Sequence, residues 1–278
     1  CSKDNNNDDN IPVYEVPTNY TFERDGASTI NFEGQTTRLK MSKELLGSFN
    51  DFDNATQESL SNMFANVNTP FAEAELNESS KSIRSKVAAS SLYFLGNTAE
   101  SDALKADFDA YIDGQMNDVA VNHNELAEAG KAGQIADGSK SRYVNGKGLE
   151  YNQAFAKGLI GALLADQILN NYLSKAVLDD GINISNNDNK VTENDKNYTT
   201  MEHMWDEAYG YLYGDPSIPV ADPNSVLNES EDRLLFSYLG QVDADSDFAG
   251  IAEETYQAFK KGRAAIVGND YDTRDEQV

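Results

Sequence analysis

From Leu39 to Val267 apolar residues recur at intervals of three and four, interrupted by polar stretches, and this pattern predicts a succession of helices. Before it, Tyr20, Phe22, Ile30 and Phe32 alternate with polar residues around Asp25-Gly26, which predicts a small β-hairpin. Leu39, Met41, Leu45, Leu46 and Phe49 suit one short helix; Leu60, Met63, Phe64 and Val67 suit a second, capped near Thr56. A longer helix is expected from Ser79 or Ser80 through Ile83, Val87 and Leu92 to a stop at Gly96, and another from Thr98 to Val121. Residues 124–145 are rich in Gly and Ala and suggest a short helix. The longest helix is expected over residues 148–178; its centre, Ala162-Leu163-Leu164-Ala165, reads as buried in a bundle. A polar loop over 179–197 leads to a helix from Glu202 to Gly214, with Thr199 or Thr200 as cap. Two final helices are expected over 225–239 and 248–267. No sustained strand pattern follows residue 40 and no fixed repeat is visible, so the expected class is all-α with one N-terminal hairpin.

Composition changes this picture in two ways. With 47 acidic against 22 basic residues the net charge is −25, a surface that repels nucleic acid and favours cations or basic partners. No apolar run approaches the roughly 20 residues of a membrane span. The sole cysteine is residue 1, which excludes an internal disulfide. A chain opening on Cys reads as a processed lipoprotein, acylated at Cys1 and held on the outer membrane. Residues 1–18 then form a lipidated polar tether ahead of one helical domain over 19–278, and the acidic stretch after Cys1 is similar to the signal that sends Bacteroidota lipoproteins to the cell surface.

The chemistry concentrates on the Glu202–Gly214 helix, which holds the only tryptophan and one of two histidines. At helical spacing His203, Asp206 and Glu207 share a face. With Glu150 from the long helix they would make a mixed N/O set for a transition metal such as iron or zinc, while the bland alternative is a core His–carboxylate pair. Glu150, Gln153, Lys157 and Asp166 form either a register-fixing ionic network or a ligand-facing set. His123 lies at a polar helix end, and the tyrosines beside Trp205 read as packing. The Asn/Asp-rich loop 186–195 offers oxygen ligands for Ca²⁺ but lacks the spacing of a helix–loop–helix site. No Gly-x-Ser-x-Gly elbow and no phosphate-cradling glycine loop are present.

Several ordered blocks carry a resemblance. Phe32-Glu33-Gly34-Gln35-Thr36-x-Arg38-Leu39, Pro70-Phe71 with Leu76-Asn77, Gly148-Leu149-Glu150-Tyr151-Asn152-Gln153, Lys157-Gly158-Leu159-Ile160-Gly161-Ala162 with Asp166-Gln167, and His203-x-Trp205-Asp206-Glu207-Ala208-x-Gly210-Tyr211 resemble the DUF4856 family, similar to the imelysin-related lipoproteins of Bacteroidota. The resemblance implies an imelysin-like bundle of helices in two related halves, continuing beyond Val278, and an envelope lipoprotein linked with iron or haem acquisition. It also brings a metallopeptidase reading, because imelysins carry a His-x-x-Glu motif; here the spacing is His203-x-x-Asp206 with Glu207 one further on.

The functional expectation is therefore a non-enzymatic, surface-facing outer-membrane lipoprotein that binds a metal ion or metal complex beside an outer-membrane transporter. One alternative is an accessory or structural subunit of an envelope complex with no small ligand. The other is a metallopeptidase using His203 and Glu207.

Overall fold

The computed structural model describes residues 14–278, so Cys1 and most of the expected tether lie outside the described residues. Residues 14–18 are packed against the C-terminal part of the chain: the Tyr14 hydroxyl donates to Asp270 (3.1 Å) and Lys260 Nζ donates to Thr18 O (2.6 Å). The expected N-terminal hairpin is present as β1 (Glu23–Arg24) and β2 (Ala27–Ser28), turning through Asp25 and Gly26, both at positive φ.

Eleven α-helices follow among the described residues. They begin with α1 (Glu33–Ser48), α2 (Gln57–Ala65) and α3 (Ala74–Glu78). Thr56 caps α2 in a reciprocal box with Ser59, as its hydroxyl and the following polar residue predict. α4 (Thr98–Gly114) runs into a π-helical turn, Gln115–Val119, close to the expected end at residue 121. α5 (Tyr151–Leu159) continues without a break through two π-helical turns, Ile160–Ala165 and Ile168–Tyr172. α6 (Lys175–Leu178), α7 (Asn183–Asp188) and α8 (Thr200–Tyr213) come next, then α9 (Leu235–Asp243), α10 (Ile251–Val267) and α11 (Tyr271–Glu276). Among the described residues no helix is long and apolar enough to cross a membrane.

Three expectations are corrected. Residues 124–145 hold a second hairpin, β3 (Gly133–Asp137) with β4 (Lys140–Val144), rather than a short helix. Its Asp137-Gly138 turn, with Gly138 at φ +60°, is the hairpin signal that the Gly/Ala composition masks. The helix expected over 79–96 is replaced by irregular chain with one 3₁₀ turn at Phe94–Gly96. This segment spends its backbone on the long helix instead: Ala88 N–H donates to Ala162 O (2.7 Å) and Leu92 N–H to Asn170 O (3.1 Å). Asp166 Oδ2 accepts from Ser90 N–H (3.1 Å) and Gln167 Nε2 donates to Lys86 O (3.2 Å). The π turns change the ladder from the usual i−4 pairing, and carbonyls within them serve this neighbour. Finally, the helix expected over 225–239 shrinks to α9, preceded by a 3₁₀ turn at Pro223–Val226.

The core follows the helical stripes: Leu163 and Leu164 of the long helix are fully buried, as are Tyr209 and Tyr213 of α8. Gly210 lets α8 approach Phe32 at the entry to α1, where an added Cβ would overlap the phenyl group. The polar loop expected over 179–197 is in part helix, since it holds α7, and Asn187 within α7 is tied into the fold. Asn187 donates to Ile266 O (2.7 Å) and Asn269 Oδ1 (3.0 Å) and accepts from the Thr199 hydroxyl (2.7 Å), tying α7 to α8 and α10.

Beyond α8, the buried Asp232 carboxyl is pushed up to about 6 by burial, with Asp215 adding to the rise and backbone N–H groups opposing it. The folded chain then holds this proton more tightly than the unfolded chain does. Stability from this group is full below about pH 4 and falls by roughly 2–3 kcal/mol as pH rises through about 6. Asp232→Asn is expected to match the wild type at pH 4 and to exceed it at pH 7.5 by about 2 kcal/mol in urea unfolding. Equal free-energy differences at the two pH values would show that Asp232 does not titrate in this window.

Candidate functional site

Helix α8 places chemistry on two faces. Thr199 starts it in a capping box: its hydroxyl accepts from Glu202 N–H (3.2 Å), and Glu202 Oε2 accepts from Thr199 N–H (2.7 Å). Glu202 continues inward to Arg263 of α10 (3.2 Å) and to Arg24 of β1 (2.9 Å). One turn on, Asp206 Oδ1 accepts from Arg263 Nε (3.0 Å) and from the Tyr20 hydroxyl (2.7 Å). Arg263 also donates to Thr29 (3.0 Å), and its guanidinium stands over the Phe22 ring at 4.9 Å. Arg263, Asp206 and Glu202 are essentially inaccessible to solvent. Burial works to raise Glu202, but Arg263, Arg24 and the Thr199 N–H outweigh it and hold it below the usual carboxylate range. Burial raises Asp206, against the pull of Arg263 and Tyr20. This face is an internal ion network that joins α8, α10 and the N-terminal hairpin.

The second face is polar and only partly closed. His203 and Glu207 are each about one-fifth exposed, with Nε2 and Oε2 4.0 Å apart. His203 Nδ1 lies 3.1 Å from Asn31 O, and its ring stacks on Tyr198 at 4.6 Å. Glu207 Oε1 accepts from Gln35 Nε2 of α1 (2.9 Å). Tyr172, at the end of the second π turn, is raised above its ordinary range by burial and then by the negative charge of Glu207. Among the described residues, two buried atoms beside this face, Gln35 Oε1 and the Tyr211 hydroxyl, have no hydrogen-bond partner. Arg38 of α1 donates to Ser82 O (3.0 Å) and Gly34 O (3.3 Å), and among the described residues no carboxylate lies within 4.0 Å of it. Burial, and then Arg38, lower the Lys86 ammonium, which stands 5.6 Å from the centre of the Tyr172 ring.

The four expected metal ligands are not brought together. His203 and Glu207 meet, as their spacing predicts. Asp206 turns to the opposite face, because a buried carboxylate needs the Arg263 charge. Glu150 pairs with Arg142 of β4 (3.0 Å) at the start of α5, about six helical turns before Tyr172, or roughly 30 Å along a helix. Lys157 donates to Gln153 (2.8 Å) and faces Tyr238, so the polar residues of the long helix form no single cluster with α8. His123 binds Ala120 O (2.6 Å) and stacks on Phe52 (4.8 Å), away from His203. Among the described residues no group of three or more His, Cys, Asp or Glu side chains is arranged to hold a metal ion.

The matching family is described as Domain of unknown function (DUF4856), and the match spans residues 17–278. The chain belongs to the DUF4856 family. No curated protein and no solved structure matches it. The DUF4856 match begins within the segment that packs on α10, so the ion network and the His203–Glu207 face both lie inside the family domain. Sequence reasoning missed Gln35, Arg38 and Tyr172 as neighbours of that face. One signal was available for Arg38: a charged residue beside the apolar stripe of Leu39, Leu45 and Leu46 is a burial flag.

Proposed function

We propose that the protein is a cell-envelope binding protein that takes a transition metal ion, iron or zinc, between His203 Nε2 and Glu207 Oε2, with the remaining positions filled by donors that arrive with the ion. The observation that carries this reading is the 4.0 Å separation of those two atoms on a partly open face. A transition metal bonds such donors at about 2.0–2.2 Å, so a single ion spans the gap with little movement. The surroundings suit the role. The contact of Nδ1 with Asn31 O sets the tautomer that leaves Nε2 free, and Gln35 orients the carboxylate. Two protein ligands favour a metal complex over a bare ion, because open positions remain.

A hydrolytic zinc site would need a second histidine near His203, and His123 is engaged elsewhere. Binding is therefore the better reading than peptidase chemistry. An acylated Cys1 and polar tether would hold the domain on the outer membrane, where the imelysin resemblance suggests metal uptake beside a transporter. Calorimetric titration of metal-stripped protein with Zn²⁺ and Fe²⁺ tests the site. His203→Ala is expected to weaken binding by about tenfold or more. Unchanged affinity would remove the metal role and leave the accessory-subunit reading.

A further inference from the structure

A cleft of about 610 Å³ lies on the α9–α10 side of α8, and nothing in the ion network or the His203–Glu207 face uses it. Its floor is apolar and fixed: Trp205, Leu212 and Phe259 line it, and Trp205 Nε1 donates to Phe259 O (2.9 Å). Its walls are three helical stripes, and Leu173, Gln277 and Val278 complete the lining. α9 contributes Leu235, Tyr238, Leu239 and Val242, which are spaced i, i+3, i+4, i+7. α10 contributes Ile251, Glu254, Thr255 and Ala258 at the same spacing. The π-helical part of the long helix contributes Ala165, Ile168 and Leu169, again i, i+3, i+4. Two residues at the lip are exposed and apolar, Leu169 at 53% and Val242 at 39%. Three neighbouring helices that turn stripes toward one trough, apolar on α9 and the long helix and mixed on α10 where Glu254 and Thr255 stand in it, form the seat that a further helix occupies in a bundle.

The charge around the trough narrows the choice of occupant. No Lys or Arg occurs between Arg233 and Lys260, a stretch that includes all of α9 and the first half of α10. The same stretch holds Asp243, Asp245, Asp247, Glu253 and Glu254. The third wall carries no Lys or Arg between Lys157 and Lys175, and Lys157 itself stands 5.0 Å from the centre of the Tyr238 ring at one end of the trough, a single cation against those five carboxylates. An anionic lipid would be repelled by these walls. A second copy of the chain would bring another net charge of −25 to the contact. The complement is a helix with an apolar stripe flanked by Lys or Arg.

We propose that this cleft is the docking site for a basic amphipathic helix of a partner protein, whose apolar stripe seats over Trp205 while its flanking cations meet the carboxylates of α9 and α10. The site is independent of His203 and Glu207, so its test does not depend on metal binding.

Trp205 is the only tryptophan, and its emission reads the cleft directly. The full chain is titrated with a helical peptide of about 18 residues that carries Leu at i, i+3, i+4, i+7 and Lys beside the stripe. A control peptide has the same composition with the Leu positions scrambled. A saturable change in emission is expected with the striped peptide, about tenfold or more weaker with the control, and weaker still as salt is raised. Leu169→Lys and Val242→Lys, both at exposed positions, are expected to cut the affinity by about tenfold or more without shifting the thermal midpoint. No saturable change, equal binding of the scrambled peptide, or indifference to both variants would overturn the proposal. So would a dimer in sedimentation, or a co-purified lipid in native mass spectrometry, that Leu169→Lys abolishes; the first would assign the cleft to a second copy and the other to an apolar small molecule.

Discussion

Arg263→Met is expected to destabilise the protein by about 3–5 kcal/mol. The reason is what the change leaves behind. Arg263 is fully buried and meets Asp206 at 3.0 Å and Glu202 at 3.2 Å. Glu202 would keep Arg24, but among the described residues Asp206 would keep only the Tyr20 hydroxyl, and its Oδ2 already lacks a partner there. A buried carboxylate in that state either stays charged at high cost or takes up a proton. The damage should reach the N-terminal segment first, because Arg263 also binds Thr29 and covers Phe22. Urea unfolding measures the total loss, and hydrogen exchange of Tyr20–Thr29 reports whether the hairpin loosens ahead of the helices. Adding Asp206→Asn to Arg263→Met should recover part of the loss, since the stranded charge is then removed. A loss below about 1 kcal/mol would show that the network is solvated rather than buried.

Gly262→Ala should cost about 2–3 kcal/mol, although alanine is the better helix former. Gly262 lies in α10 where it crosses Trp205, and an added Cβ would overlap carbons of the indole ring. The ring cannot step aside freely, because its N–H is bound to Phe259 O (2.9 Å) one turn earlier in the same helix. The methyl group must therefore push α10 away from α8 or break that hydrogen bond. Both changes open the floor of the apolar cleft, so the drop in urea midpoint should come with a red shift of Trp205 emission. A stable variant with unchanged emission would mean that the two helices are not held in this contact.

Much of the architecture was legible where local signals agree with tertiary packing. Thr56 and Thr199 each cap the helix that their positions predict, and Asp25-Gly26 turns the N-terminal hairpin. The His203–Glu207 proximity needs only helical spacing, and it is present. The failures have physical causes. Ile83, Val87 and Leu92 carry a helical period, but their segment finds better hydrogen-bond partners in the π turns of the long helix. Asp206 looks like a ligand next to His203, yet the deciding partner, Arg263, is 57 residues away. An arginine set in Gly262-Arg263-Ala264-Ala265-Ile266, among small and apolar residues, was the one hint of that burial.

The helical class, the capped start of α8, the acidic surface and the pairing of His203 with Glu207 are legible in the chain alone, because each follows from composition or from neighbours within a turn or two of chain. Which α8 carboxylate is buried and which faces the partly open side depends on the folded chain. Contacts distant in sequence made that choice: Arg263, Arg24 and Tyr20 drew Glu202 and Asp206 inward, while Gln35 held Glu207 at the other face. The apolar cleft is likewise a property of three helices brought side by side, since each stripe alone reads as ordinary core. Periodicity tells a helix which face to bury; what meets that face depends on chain segments whose positions local sequence does not encode.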